Sequence, residues 1–153
     1  MTNQGDQNPA SHKSKLLVPI NFTKKSELAM DFSLKFSGSM NADIYLFHVF
    51  EDSTSDYRRL DRINEEYMER MKQVVMLAIQ RLHAKGVAHT VEDVHRRISH
   101  GKPWVEILKM AGGISADMIV MGAPTTNQFK KLFLKVPCSL VIVKEKDPEF
   151  VMA

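Results

Sequence analysis

Two short polar turns carry the groups best suited to hold a small polar ligand. They are Ile20-Asn21-Phe22-Thr23 and Met121-Gly122-Ala123-Pro124-Thr125-Thr126. Amide, hydroxyl and backbone N–H groups can bind such a ligand, and N–H groups that begin a helix can receive an anion. A purely structural interpretation stands beside this one, in which Gly122 permits a tight turn and the threonines cap a helix.

The other chemically active side chains do not form a catalytic or metal-binding set. The six histidines are not spaced with thiols or carboxylates as zinc ligands are. The acidic loop after position 50 lacks the spacing of a calcium-binding EF-hand. The chain contains neither G-x-S-x-G nor G-x-x-x-x-G-K-[ST]. We therefore expect no catalytic residue, no metal site and no enzymatic activity.

Composition excludes several other classes of protein. Lys and Arg total 21 against 18 Asp and Glu, and the excess is dispersed, so we expect no nucleic-acid binding. The first 14 residues are polar and no apolar run approaches the roughly 20 residues of a membrane span, so we expect no membrane partner. The single cysteine, Cys138, suits a reducing compartment and a buried apolar role, which favours the cytoplasm.

Apolar runs alternate with helical patterns along the chain, which predicts the order βαβαβαβαβ. The predicted strands are 15–20, 42–50, 90–99, 117–121 and 138–143. The predicted helices are 26–37, ended by Gly38, then 57–85, one that opens at Gly101-Lys102-Pro103, and a short one within 129–136. This alternation predicts a doubly wound α/β fold with a parallel sheet covered on both faces.

The length of 153 residues fits one domain, which we place at 14–146 between tails at 1–13 and 147–153. In such sheets ligands bind beyond the carboxyl ends of the strands, where the strand order reverses. If the first and fourth strands are neighbours, the two polar turns meet at that point. Thr23 or Ser26 is expected to cap the helix that follows the first turn.

Five segments resemble the universal stress protein family, across roughly residues 14–146. They are Leu17-Val18-Pro19-Ile20-Asn21-Phe22-Thr23 (family V-P-x-D-F-S), Leu46-Phe47-His48-Val49 (L-L-H-V), Gly101-Lys102-Pro103 with Glu106-Ile107-Leu108 (G-x-P…E-I-L), Ala116-Asp117-Met118-Ile119-Val120-Met121-Gly122 (A-D-L-I-V-M-G) and Val136-Pro137-Cys138-Ser139-Leu140-Val141-Ile142-Val143 (A-P-C-P-V-L-V-V). The resemblance implies a five-stranded parallel sheet of order 3-2-1-4-5, Rossmann-like and similar to the adenine nucleotide alpha hydrolases. It also implies a homodimer through the last strand, Leu140 to Val143.

Members of the family that bind ATP are expected to carry G-x2-G-x9-G-[S/T] after the fourth strand, and this chain departs from that pattern. Gly122 matches the first glycine, the second falls on Thr125, and no glycine follows position 122. The first-turn aspartate associated with the nucleoside corresponds to Asn21, and the adenine-contacting position after the histidine corresponds to Val49. The ligand-binding residues implied are Pro19, Ile20, Asn21, Val49, Met121, Gly122 and Thr125.

The base-binding half of the crevice is therefore expected to be retained, while the phosphate-binding half is shortened and poor in glycine. The first hypothesis is a non-enzymatic stress-response or regulatory protein with weak or no ATP binding, acting through a protein partner that the sequence does not identify. The alternative is a nucleotide-binding regulator that holds ATP, AMP or a related adenine compound with a variant phosphate loop. A third hypothesis is a slow nucleotide hydrolase, for which the sequence shows no identifiable general base or metal ligand.

Overall fold

The computed structural model describes residues 13–51, 54–86, 94–124, 130 and 134–144. Five strands and three helices lie within these residues. The strands are β1 (Ser14–Pro19), β2 (Ala42–Phe50), β3 (Val94–His100), β4 (Met118–Gly122) and β5 (Ser139–Val143). The helices are α1 (Lys24–Met40), α2 (Tyr57–His83) and α3 (Pro103–Gly113).

The strands form one parallel sheet with the order β3-β2-β1-β4-β5. This confirms the doubly wound α/β prediction and the order that the resemblance implied. The chain leaves β1 for β2 on one side and later returns to β4 on the other side. The strand order therefore reverses between β1 and β4, which is where a ligand is expected in an open α/β sheet.

Each face of the sheet has its own apolar core. Leu16 and Val18 of β1 pack with Met30 of α1 and Met71 of α2, so these two helices cover one face. Leu17 of β1 lies on the other face with Phe47, Ile107, Ala111 and Ile119, two of which belong to α3. Because successive side chains of a strand point to opposite faces, a strand covered on both sides must be apolar where it is buried, as β1 is from Leu16 to Val18.

The end of α1 differs from the prediction. The helix continues through Gly38 to Met40 and is ended by Asn41, which has a φ of 51°. The N–H of Asn41 bonds to the carbonyl oxygen of Ser37, which closes the last turn. Asparagine adopts left-handed dihedral angles more readily than most residues, so it can end a helix as glycine does. Gly38 was therefore the wrong residue for the stop.

The two edge strands of the sheet differ in charge. β3 carries Arg96 and Arg97, and Arg96 Nη1 donates to the carbonyl oxygen of Met68 at 3.0 Å. β5 has the sequence SLVIV and carries no charged side chain. The predicted start of β3 at Thr90 lies outside the described residues, as does most of the helix predicted within 129–136.

Candidate functional site

The turn between β1 and α1 is organised by three short polar side chains. Thr23 caps α1, because its Oγ1 accepts from the backbone N–H of Ser26 at 3.3 Å. Asn21 Oδ1 accepts from the Thr23 hydroxyl at 2.6 Å and from the Thr23 backbone N–H at 3.3 Å. The Asn21 backbone N–H in turn donates to Ser26 Oγ at 3.3 Å. The predicted cap is confirmed at Thr23, and hydrogen bonds among Asn21, Thr23 and Ser26 hold the turn in place.

Phe22 completes this turn in an unusual conformation. Its φ is 63°, which is costly for a bulky side chain. The ring stacks on Tyr67 of α2, with centroids 5.8 Å apart and an interplanar angle of 12°. The guanidinium of Arg70 lies 4.0 Å from the centre of the Phe22 ring. Packing against α2 therefore offsets the backbone strain and ties the turn to that helix.

Ile20 is held to β2 by two hydrogen bonds, one from its N–H group and one to its carbonyl oxygen. Its N–H donates to the carbonyl oxygen of Phe47 at 2.8 Å. Its carbonyl oxygen lies 2.7 Å from His48 Nδ1. Because a carbonyl oxygen only accepts, Nδ1 carries the proton of the neutral ring and Nε2 is left as an acceptor. His48 thus positions the residue that precedes Asn21.

The ring of His48 is buried among aromatic side chains. The residue is 7% exposed, and its ring lies 4.8 Å from that of Phe22 and 4.3 Å from that of Tyr67. Nε2 has no hydrogen-bond partner among the described residues. Burial lowers the pKa of His48, the bond to Ile20 opposes this shift, and the charge of Arg70 adds to it. The ring is therefore neutral in the folded protein near neutral pH.

Gly122, at the end of β4, touches the first turn of α1. A Cβ atom added there would lie 2.6 Å from the carbonyl oxygen of Lys25. Gly122 is not among the described residues with a positive φ. Close approach of the helix backbone therefore explains this glycine without a ligand, and the tight turn suggested by the sequence is not the reason.

The strand register brings the predicted residues to one edge. The last pairs of β1 are Pro19 with Phe47 of β2 and Leu17 with Ile119 of β4. Pro19 at the end of β1 and the next residues, Ile20 and Asn21, therefore lie at the same edge of the sheet as Val49 near the end of β2 and as Met121 and Gly122 at the end of β4. Six of the seven predicted residues thus lie at the carboxyl ends of the three central strands. Thr125 lies outside the described residues.

The sequence did not single out the side chains that support this edge. Tyr67 and Arg70 lie within the helix predicted at 57–85, and the sequence assigned neither of them to the site. On the opposite face, Ser99 pairs with Val49 in the sheet, and its hydroxyl donates to Glu106 of α3. For Tyr67 and Arg70, the available signal was their spacing of three residues, which places both on one side of the predicted helix.

The described part of the chain contains no candidate metal site, no candidate membrane span and no activated thiol. No group of three or more His, Cys, Asp or Glu is placed there to hold a metal ion. None of the helices described is long and apolar enough to cross a membrane. Cys138 is half-buried, and burial followed by the charge of Asp117 raises the pKa of its thiol. A thiol with a raised pKa is a poor nucleophile.

Solved structures share this fold. A universal stress protein in complex with cAMP is 18% identical with a TM-score of 0.65, over 87% of this chain and 98% of that one. The universal stress protein UspA from Lactobacillus plantarum is 22% identical with a TM-score of 0.57, over 87% and 99%. The universal stress protein from Archaeoglobus fulgidus in complex with dAMP is 14% identical with a TM-score of 0.59, over 87% and 98%. No curated relative matches the sequence.

The family comparison covers all of the described residues. The model of the universal stress protein family matches residues 13–144. This range includes all five strands, the capped turn at Asn21 and the end of β4 at Gly122. The chain belongs to the universal stress protein family.

Proposed function

We propose that the chain is a non-enzymatic regulatory protein of the stress response that binds a nucleotide weakly at the carboxyl ends of β1 and β4. The observation that carries the proposal is the position of Asn21, Val49 and Gly122 at the carboxyl ends of β1, β2 and β4, beside the point where the strand order reverses. Two proteins of similar fold are complexes with cAMP and with dAMP, which supports an adenine compound as the first ligand to test.

Weak binding follows from the state of the phosphate side. The backbone of Lys25 fills the space beside Gly122, and no glycine follows Gly122 in the sequence. A cradle of backbone N–H groups around phosphates needs residues that adopt left-handed dihedral angles easily, which glycine does best. The nucleotide is therefore held mainly through its base and sugar, and additional phosphates add little affinity.

The chemical groups at this edge support binding rather than turnover. Pro19, Val49 and Met121 are partly exposed apolar side chains, Ile20 is buried in the core, and exposed Asn21 presents an amide. None of these side chains can act as a general acid, a general base or a nucleophile at neutral pH. The proposed role is therefore to sense a ligand or to act through a protein partner, in the cytoplasm.

Isothermal titration of the full chain with AMP and with ATP plus magnesium tests the proposal. We expect ATP to bind no more tightly than AMP, with a Kd above about 100 µM. Micromolar affinity for magnesium ATP would overturn the weak-binding claim. A phosphate-release assay with ATP tests the absence of turnover, and steady release that survives repurification would contradict it.

The second part of the proposal is a homodimer through β5. This strand lies at the edge of the sheet and carries only apolar side chains from Leu140 to Val143. All four side chains are partly exposed. An uncharged edge strand invites pairing with another strand. Light scattering at micromolar concentration is expected to give twice the mass of the chain, and Ile142→Lys is expected to give the monomer. A monomer for the unmodified chain would contradict the dimer.

A further inference from the structure

Three acceptor atoms of the turn between β1 and α1 are engaged inside the protein. The carbonyl oxygen of Ile20 accepts from His48, and the carbonyl oxygen of Thr23 accepts from Ser26 Oγ at 2.9 Å and from the N–H of Glu27 at 3.0 Å. Asn21 Oδ1 accepts twice from Thr23. The side-chain oxygen of Asn21 therefore has no lone pair left for a ligand.

The bonds to Thr23 also fix which way the Asn21 amide points. A backbone N–H can only donate, so the atom that faces the Thr23 N–H must be the amide oxygen. The Nδ2 group is then directed away from Thr23, and it makes no hydrogen bond to another described residue. Asn21 is exposed, so its two N–H donors are available to a ligand.

From this geometry we infer that Asn21 selects a purine whose 6-position is a carbonyl, as in inosine or guanosine nucleotides, over one whose 6-position is an amine. The inference rests on the proposed function, in which the base lies beside Asn21 and Val49. An amide N–H bonds to a carbonyl oxygen, whereas an exocyclic amine offers only N–H groups and leaves both partners without an acceptor.

An aspartate at this position would have the opposite preference. One carboxylate oxygen can accept from the Thr23 N–H and hydroxyl, as Asn21 Oδ1 does, and the second oxygen remains an acceptor for the ligand. Asn21→Asp therefore keeps the turn and exchanges a donor for an acceptor at nearly the same place. This variant is a direct test of specificity because the shape of the side chain hardly changes.

The experiment is a titration with IMP and AMP, which carry the same ribose and phosphate. For the unmodified chain we expect IMP to bind about three- to tenfold more tightly than AMP, the effect of one neutral hydrogen bond. In Asn21→Asp the ratio is expected to reverse, and in Asn21→Ala it is expected to approach one. Asn64→Asp, an exposed position on α2, adds the same charge elsewhere and is expected to leave the ratio unchanged.

The ratio of the two affinities separates the possible failures. Equal affinities in the unmodified chain, or a preference for AMP, would overturn the inference and leave the proposed function standing. An equal loss of both ligands in Asn21→Asp would assign Asn21 to the sugar or phosphate and would also overturn it. If neither nucleotide binds any variant while thermal melting shows each to be folded, the proposed function fails and the inference fails with it.

Discussion

His48 Nδ1 donates to the carbonyl oxygen of Ile20 across 2.7 Å, which joins β2 to the residue before the Asn21 turn. The other ring nitrogen has no partner among the described residues and is surrounded by Phe22 and Tyr67. The folded protein therefore resists protonation of this ring. Both the stability of the protein and the order of the turn depend on His48 remaining neutral.

Stability is expected to fall as the pH drops below about 6.5, the ordinary pKa of histidine, because the unfolded chain binds a proton that folded His48 does not. The fall continues until the pH reaches the lowered pKa of the folded state. One such proton contributes at most about 1.4 kcal/mol per pH unit. Urea unfolding between pH 5 and 8 measures it.

Two variants separate His48 from the other histidines. His48→Gln removes the titrating group and is expected to flatten the dependence below pH 6.5, although the protein becomes less stable at every pH. His83→Gln changes an exposed histidine at the end of α2 and is expected to leave the slope as it was. An unchanged slope in His48→Gln would show that other groups cause it.

Gly122→Ala is expected to destabilise the protein by about 1–3 kcal/mol, because the added carbon would overlap the Lys25 carbonyl group and force α1 to move. Gly112→Ala is the matched control, since the space beside Gly112 is open and the residue lies in α3. Alanine favours a helix over glycine by up to about 1 kcal/mol, so the control should be neutral or stabilising. Equal effects in the two variants, measured by denaturant unfolding, would contradict the close packing.

Phe22 offers a test of backbone strain against ring packing. Phe22→Ala loses the contacts with Tyr67 and Arg70 but keeps a side chain at a φ of 63°. Phe22→Gly loses the same contacts and also removes the strain, which is worth about 1 kcal/mol. We therefore expect the glycine variant to be the more stable of the two by about that amount in urea unfolding. Alanine at or above the stability of glycine would rule out the left-handed conformation.

The ion pair between α1 and α2 is expected to contribute little. Arg81 Nη2 lies 2.7 Å from Asp31 Oδ1 and Arg81 Nε lies 3.3 Å from Oδ2, a two-point contact. This contact raises the pKa of Arg81, yet 43% of the Arg81 side chain is exposed, so water and salt screen the pair. A double-mutant cycle with Asp31→Asn and Arg81→Gln is expected to give a coupling below about 1 kcal/mol that shrinks in 1 M salt. A larger, salt-independent coupling would contradict this expectation.

The sequence predicted strands and helices well because their signals are local. Apolar runs identified most of the strands, and the helical pattern over 57–85 identified the longest helix. The prediction placed the end of α1 at Gly38 and was wrong. The helix ends where one residue adopts left-handed dihedral angles, and a polar residue such as Asn41 can do this, as a glycine can. The family resemblance supplied the strand order, which local patterns restrict but do not determine.

The sequence predicts where the candidate site lies in the fold, but not the contacts that its residues make. Positions such as Asn21 and Val49 follow from the ends of strands, and β1 and β2 are neighbours in the sheet, so these two ends lie at one edge. The role of Gly122 against Lys25 was hidden, because a contact between β4 and α1 joins residues almost a hundred positions apart. The direction of the Asn21 amide could not be predicted from the sequence either, because it depends on the hydrogen bonds that Thr23 makes in the folded turn.

The difference between the two edges of the sheet has a consequence for how copies of this chain assemble. The arginines of β3 discourage a second strand from adding at that side, whereas β5 offers an uncharged side. If two copies pair through this one receptive edge, the edge of each copy is covered by the other, and neither copy has a receptive edge left. Growth into a continuous ribbon of sheets would need a second receptive edge, so the proposed association through β5 would end at two.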